Sequence, residues 1–162
     1  MAQVLTPDQQ IQDDHRQARD GIFDLLQACQ ERNPRRAREI VDLIDMVAGP
    51  HWRWEEEALY PAVGQLSEEL RLSLLKEHDE VIEAVQKVTD ILKQKNIPPQ
   101  DWEEIRNKIL AMLYHIATCD GLVIMIEKLS DNDLVNIRQA IFVAQRDEVR
   151  LLEWAQTLRK KQ

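Results

Sequence analysis

The sequence predicts an all-α protein: an up-down-up-down four-helix bundle with an additional C-terminal helix. Three observations carry this expectation. Apolar residues recur at helical spacing nearly throughout, and no stretch alternates apolar and polar as a half-buried strand would. Only four Gly and six Pro occur in 162 residues, with 44% apolar and 31% charged side chains, a composition that suits a helical globular protein. The strongest breaks, at Asn33-Pro34, near Pro61 and at Ile97-Pro98-Pro99, divide the chain into long periodic segments. The length is that of one domain with a sizeable core. Residues 1–130 are expected to form the bundle, and residues 131–162 a helix packing on it or on a second subunit.

The first helix is predicted from about Pro7 to Arg32, ending at Asn33-Pro34. The second covers Pro34 to Ala62, interrupted at Gly49-Pro50 and closed near Pro61. Proline within a helix removes a hydrogen bond and kinks it. Gly49-Pro50 therefore reads either as a helix restart with Pro50 in its first turn or as a kink that aims His51. The third helix follows Ser67, where Glu69 and Leu70 resemble a helix start, and ends before Ile97. The fourth runs from about Pro99 to Leu129, and the fifth from Asp131 to the C-terminus. In the fifth, Leu134, Ile137, Ile141, Ala144, Leu152, Ala155 and Leu158 form an imperfect amphipathic stripe, able to cap the bundle or to pair two subunits in a homodimer.

Bulk properties narrow the function classes. The longest unbroken apolar run, Ile109 to Tyr114, is far below the roughly 20 residues of a membrane span. The first twenty residues lack the apolar core of a signal peptide. A net charge of -8 speaks against a nucleic-acid partner, which would need a basic face. No membrane or nucleic-acid partner and a cytoplasmic location are expected. Cys29 and Cys119 suit a reducing compartment. Cys29 lies fourteen residues beyond His15, about 21 Å along a helix, and Cys119 falls one turn the other way, so no disulfide is expected.

The apolar stripes contain the chemistry. The first helix places Ile11, His15, Ala18, Ile22, Leu25 and Cys29 at spacings 4-3-4-3-4, and the third places Leu74, His78, Val81, Val85, Val88 and Leu92 at the same spacings. In both, a histidine takes the second position of a seam that should face the interior. The second helix continues with Ala48, His51, Glu55, Ala58 and Ala62, the fourth with Met112, His115, Cys119, Leu122 and Ile126. His15 to His51 is 36 residues and His78 to His115 is 37; His15 to His78 is 63 and His51 to His115 is 64. All four histidines of the chain thus obey a two-fold internal repeat of helical hairpins. Four imidazoles should stand at one level of the bundle.

Such a set offers a metal its donors. Imidazole suits iron, zinc and copper, and a carboxylate can bridge two cations. Positions i and i+4 share a helix face, so His51 and Glu55 both point inward. A glutamate in a bundle core without a cation or partner is costly or stays protonated, whereas inward carboxylates from several helices build di-iron sites in bundles.

The segment His51-Trp52-Arg53-Trp54-Glu55-Glu56-Glu57-Ala58-Leu59-Tyr60-Pro61 resembles the H-x3-E-E-x2-L-[FY]-P motif of the hemerythrin-like, or HHE cation-binding, family. Lys76-Glu77-His78-Asp79 is similar to that family's third-helix segment and Asp14-His15-Arg16 to its first. The resemblance spans about residues 8–128. It implies a non-haem iron centre of one or two ions, often one that binds oxygen or senses oxygen, iron or nitric oxide. Carried over, His15, His51, His78 and His115 match histidine ligands and Glu55 the bridging carboxylate. The fourth helix departs from the family's H-x3-E with His115-Ile116-Ala117-Thr118-Cys119. The spacing from His115 to Asp120 fits the H-x4-D of oxygen carriers, making Asp120 the candidate second bridge; Cys119 is the alternative, through its thiolate. On the third helix the oxygen carriers have two histidines four apart, but the neighbours of His78 at that spacing are Leu74 and Ile82. One iron would then have fewer protein ligands.

The function expected from this resemblance is binding or sensing of a diatomic ligand, oxygen or nitric oxide, or of iron. A di-iron oxidase or peroxidase-type enzyme and an interaction module with a degenerate site are the alternatives. Glu56 and Glu57 read as a solvated face, Trp52, Trp54 and Trp102 as packing or surface residues, and Met46, Met112 and Met125 as core filler. Arg159-Lys160-Lys161 reads as a frayed, solvated helix end.

Overall fold

The computed structural model describes residues 5–159, and the fold is all-α. Helix α1 spans Pro7–Gln30 and α2 Pro34–Trp54; a π-helical turn, Glu55–Leu59, leads into α3, Tyr60–Gly64. Then follow α4 (Glu68–Leu92), α5 (Pro99–Cys119), α6 (Leu122–Ile126), α7 (Asp131–Asp147) and α8 (Leu151–Thr157). The hairpins α1–α2 and α4–α5 form the bundle, with α1 also against α5 and α2 against α4. Asn33 caps α2 by accepting from Arg36 N (3.1 Å), and Ser67 caps α4 by accepting from Leu70 N (3.2 Å). These are the side chains that satisfy orphan donors at helix starts.

The predicted seams are the buried ones. Every residue of the α4 stripe and of the fourth-helix stripe is buried, as are Ile11, His15, Ile22, Leu25 and Cys29 on α1. Both cysteines are free thiols. Met46 departs from the core-filler reading, lying 45% exposed. On the outer side of α5 and α6, Leu110, Tyr114 and Ile124 are exposed. The stretch Pro99–Ile126 is by length and composition apolar enough to cross a membrane, with a third of its apolar window buried. It breaks at Asp120-Gly121, which the single fourth helix expected from periodicity did not foresee.

Three other expectations are corrected. The second helix does not break at Gly49-Pro50: α2 is continuous across both residues, and Gly49 is buried where the α7–α8 connection crosses. A Cβ at Gly49 would lie 2.6 Å from Leu151 N, so the glycine permits a close backbone approach. Nor does the helix close at Pro61. It widens into the π turn, with Tyr60 N donating to Glu55 O, and continues to Gly64. Pro61 lacks an N–H and its ring would clash with the carbonyl four residues earlier, which favours a wider preceding turn. Finally, the fifth helix is two. Glu148 adopts a left-handed conformation (φ 50°, ψ 32°) between α7 and α8. Asp45 on α2 then accepts from Leu152 N at 2.9 Å and pairs with Arg150, fixing the start of α8.

The C-terminal stripe packs on its own bundle. Leu151 and Trp154 join the core around α1, α2 and α4; Ile137, Ile141 and Ala144 join a second core with Trp54, Leu59, Tyr60 and Val63. Leu158, at the end of the stripe, is 49% exposed.

Candidate metal centre

The four histidines arrive at one level because their seams interlock. Each imidazole is buried, between 0 and 5% exposed. The centroids of His15 and His51 are 4.9 Å apart and those of His78 and His115 4.7 Å, both pairs edge-on. Nε2 of His15 and Nε2 of His51 face each other at 3.1 Å, with Glu55 Oε1 at 3.3 Å from His51 Nε2. On the other side of the same carboxylate, Glu55 Oε2 lies 3.3 Å from His78 Nε2. Trp52 stacks flat on His78 at 4.1 Å, and so serves as packing.

The outer nitrogens follow one rule. Nδ1 of His51 meets Asp14 (2.8 Å), Nδ1 of His115 meets Glu77 (3.1 Å), Nδ1 of His78 meets Glu56 (2.8 Å), and Nδ1 of His15 meets Asp120 (2.6 Å). The two-fold repeat governs this shell as well. The acid just before the first histidine of each hairpin, Asp14 or Glu77, holds the second histidine of that hairpin. The acid five residues after the second histidine, Glu56 or Asp120, holds the first histidine of the other hairpin. A carboxylate on the outer nitrogen fixes the ring and leaves the inner nitrogen as the donor to a metal.

Three expectations are overturned here. Asp120 does not stand at the centre as a bridge; its side chain is 53% exposed at the rim, on the outer nitrogen of His15. In the repeat it is the counterpart of Glu56. Glu56 is not solvated: it is buried, and besides His78 it binds Arg159. The π turn explains this, because one wide turn brings both Glu55 and Glu56 to the interior. Glu57 alone remains on the exposed side, paired with Arg53. Arg159 is likewise no frayed end, since its guanidinium is held by Glu56 and Asp79. Lys160 and Lys161 lie outside the described residues.

Asp14, Glu56 and Glu77 as imidazole partners escaped sequence reasoning. The available signal was the repeated acid-His dipeptide, Asp14-His15 and Glu77-His78. Tyr60 was also missed: its hydroxyl is buried 2.8 Å from His78 Nε2 and donates to Glu55 Oε2 at 3.2 Å. Cys119, the repeat counterpart of Glu55, donates its thiol to Glu55 Oε1 at 3.0 Å.

Electrostatics concentrates on Glu55. Burial alone would raise its pKa, yet His51 and His78 hold it well below the usual carboxylate range. His51 shows the converse: burial opposes its charge, but Glu55 and Asp14 push it up to about 10. His15 and His115 are instead lowered, chiefly by burial and then by the neighbouring imidazole or, for His115, against the pull of Glu77. Burial raises Cys119 and Tyr60 well above their ordinary values, with the Glu55 charge adding to each.

The donors fit a cation. His15, His51 and Glu55 offer ligand atoms within 4.8 Å of one another, and so do Glu55, His115 and Cys119. His115 Nε2 is buried without a hydrogen-bond partner. An orphaned buried nitrogen is costly, and a metal ion would satisfy it. Glu55 is shared between the two groups, as a bridging carboxylate would be.

No curated protein and no solved structure matches the chain. The sequence profile of the hemerythrin HHE cation-binding domain does, over residues 6–128, a span holding every buried histidine, Glu55 and the carboxylates on their outer nitrogens. The chain belongs to the hemerythrin HHE cation-binding family.

Proposed function

We propose that this protein is a non-haem iron protein that binds or senses a diatomic ligand, oxygen or nitric oxide. The observation that carries the reading is the shared orientation of the four buried imidazoles, each anchored through Nδ1 to a carboxylate. In this reading His15, His51 and Glu55 hold one ion, and Glu55, His78 and His115 contribute to a second. Iron held there supplies a redox-active centre with affinity for small diatomic molecules. The protein's part is to fix the donors, share one carboxylate, and keep water away with apolar walls.

A small cavity supports the ligand class. It measures about 40 Å³, bordered by His15, His51 and His115 and otherwise by side chains such as Ile22, Val81 and Met112. A water molecule needs roughly 10–15 Å³ of such space, so a diatomic molecule fits.

The test is anaerobic loading with ferrous iron, followed by metal analysis and melting. One or two irons should bind per chain, and loading should raise the melting temperature, since a ligand of the folded state stabilises it. Glu55→Ala should lose metal from both positions, whereas Glu57→Ala should load like the wild type. Equal iron contents in the two variants would remove the basis of the proposal. Nitric oxide or oxygen added to the loaded protein should then change its visible absorption; a spectrum indifferent to both gases would refute the ligand assignment.

A further inference from the structure

The two halves of the centre are related by the sequence repeat, but the donors at its middle differ. Glu55 follows His51 by four residues, and Cys119 follows His115 by four. Cys119 is fully buried, and its sulfur lies 3.0 Å from Glu55 Oε1. A buried cysteine is by itself a small hydrophobe. Two further facts distinguish this one. The unpartnered Nε2 of His115 belongs to the same cluster, and Glu55, His115 and Cys119 present their donor atoms within 4.8 Å of each other.

We infer that Cys119 supplies a sulfur ligand to the second cation position, making it a mixed carboxylate, imidazole and thiolate site for a borderline divalent transition metal such as zinc, cobalt or ferrous iron. This deepens the two-position reading given above and rests on it. The first position, with two imidazoles and a carboxylate, carries only nitrogen and oxygen donors. The second adds a soft donor, and soft donors discriminate between metals where raw affinity does not. The two positions are therefore unequal, and the second prefers zinc or cobalt over manganese or magnesium, which favour oxygen. As the sulfur–metal bond forms, the thiol proton leaves for solvent and the ion keeps its divalent state. Tyr60, 3.9 Å from the same sulfur, closes that side of the position.

Cobalt is the probe, because thiolate ligation gives it an intense near-ultraviolet charge-transfer band that nitrogen and oxygen donors do not. The full-length, metal-free chain is titrated with cobalt and followed by absorption and stoichiometry, alongside Cys119→Ser and Cys29→Ser. The wild type and Cys29→Ser should develop the band; Cys119→Ser should lack it, keep one cobalt, and lose the other by on the order of a hundredfold in affinity. That scale sits at the upper end of the cost of disturbing a ligand's outer partner, about 10–100-fold. Cobalt bound by the wild type without a thiolate band would overturn the inference while leaving the two-position reading intact. No cobalt bound by wild type or Cys29→Ser would overturn both. Far-ultraviolet dichroism of Cys119→Ser checks its fold, and the wild-type band decides the question even should that variant unfold.

Discussion

His78 stands at the end of a chain of contacts that reaches the protein's C-terminal segment. Its Nδ1 is held by Glu56, and Glu56 is held by Arg159, whose guanidinium also stacks 5.7 Å over the Trp154 ring. Outer partners of metal-binding imidazoles commonly set affinity by about 10–100-fold. Glu56→Gln should therefore weaken metal binding by on the order of tenfold, because a neutral amide replaces the carboxylate on the ring. Arg159→Gln leaves the His78–Glu56 contact in place and should cost less. Chelator competition measures both; a larger loss from Arg159→Gln than from Glu56→Gln would break the proposed order. Much of this site was legible in the sequence at residue scale. Histidines on apolar seams, with matching spacings, placed His15, His51, His78 and His115 together, and the i, i+4 rule placed Glu55 with them. Asp120 was misread because spacing alone cannot separate a carboxylate at the centre from one on an imidazole's outer edge. Only the repeat extended to the acids distinguishes them, since it pairs Asp120 with Glu56 and Cys119 with Glu55.

At the scale of elements, the second helix bears two irregularities with different origins. The π turn at Glu55–Leu59 was hidden because the periodic pattern assumes 3.6 residues per turn, and Pro61 reads more naturally as an end than as a widening. That one turn is why Glu56 is buried rather than solvated. Gly49 was misread for a different reason: its requirement is imposed by Val149, Arg150 and Leu151, a hundred residues away and invisible to local rules. The break at Glu148 is equally tertiary, since no Gly or Pro marks it and the partners that fix it, Asp42 and Asp45, lie on α2. Gly49→Ala pits a helix-propensity gain of about 1 kcal/mol against backbone atoms that a methyl cannot approach. Overpacking generally costs about 1–3 kcal/mol, and with backbone as the obstacle the upper end is expected, a net loss of roughly 2 kcal/mol. Gly21→Ala supplies the contrast. Gly21 lies inside α1 and its Cβ would meet Ile44 Cγ1 of α2 at 3.4 Å, an ordinary contact, so it should gain up to about 1 kcal/mol. Denaturant midpoints for the pair should move in opposite directions; a shift of both the same way would discard the steric account of Gly49.

For the whole molecule, the family match ends at residue 128, yet the folded unit does not. Helices α7 and α8 run along α2, and their apolar residues complete both cores. Five of these side chains, Ile137, Ile141, Ala144, Leu151 and Trp154, are buried. Fully burying a large apolar side chain is worth about 1.5–3 kcal/mol, so the four large ones together approach 10 kcal/mol. A typical domain is stable by only about 5–15 kcal/mol. Removing residues 131–162 also leaves Trp54 and Val63 uncovered, takes Arg159 from Glu56, and deprives Asp42 and Asp45 of Arg150. A chain ending at Ser130 should consequently fail to melt cooperatively, bind a hydrophobic dye, and hold metal poorly although every imidazole is still present. Adding residues 131–162 back as a separate peptide should restore part of the cooperative transition, because the interface is intramolecular only by virtue of the connection at Ser130. Calorimetry and size-exclusion chromatography of the truncated chain, with and without the peptide, give the readout. A truncated monomer melting within a few degrees of the full chain would mean that the C-terminal helices are an appendage, and that the bundle and its metal centre stand without them.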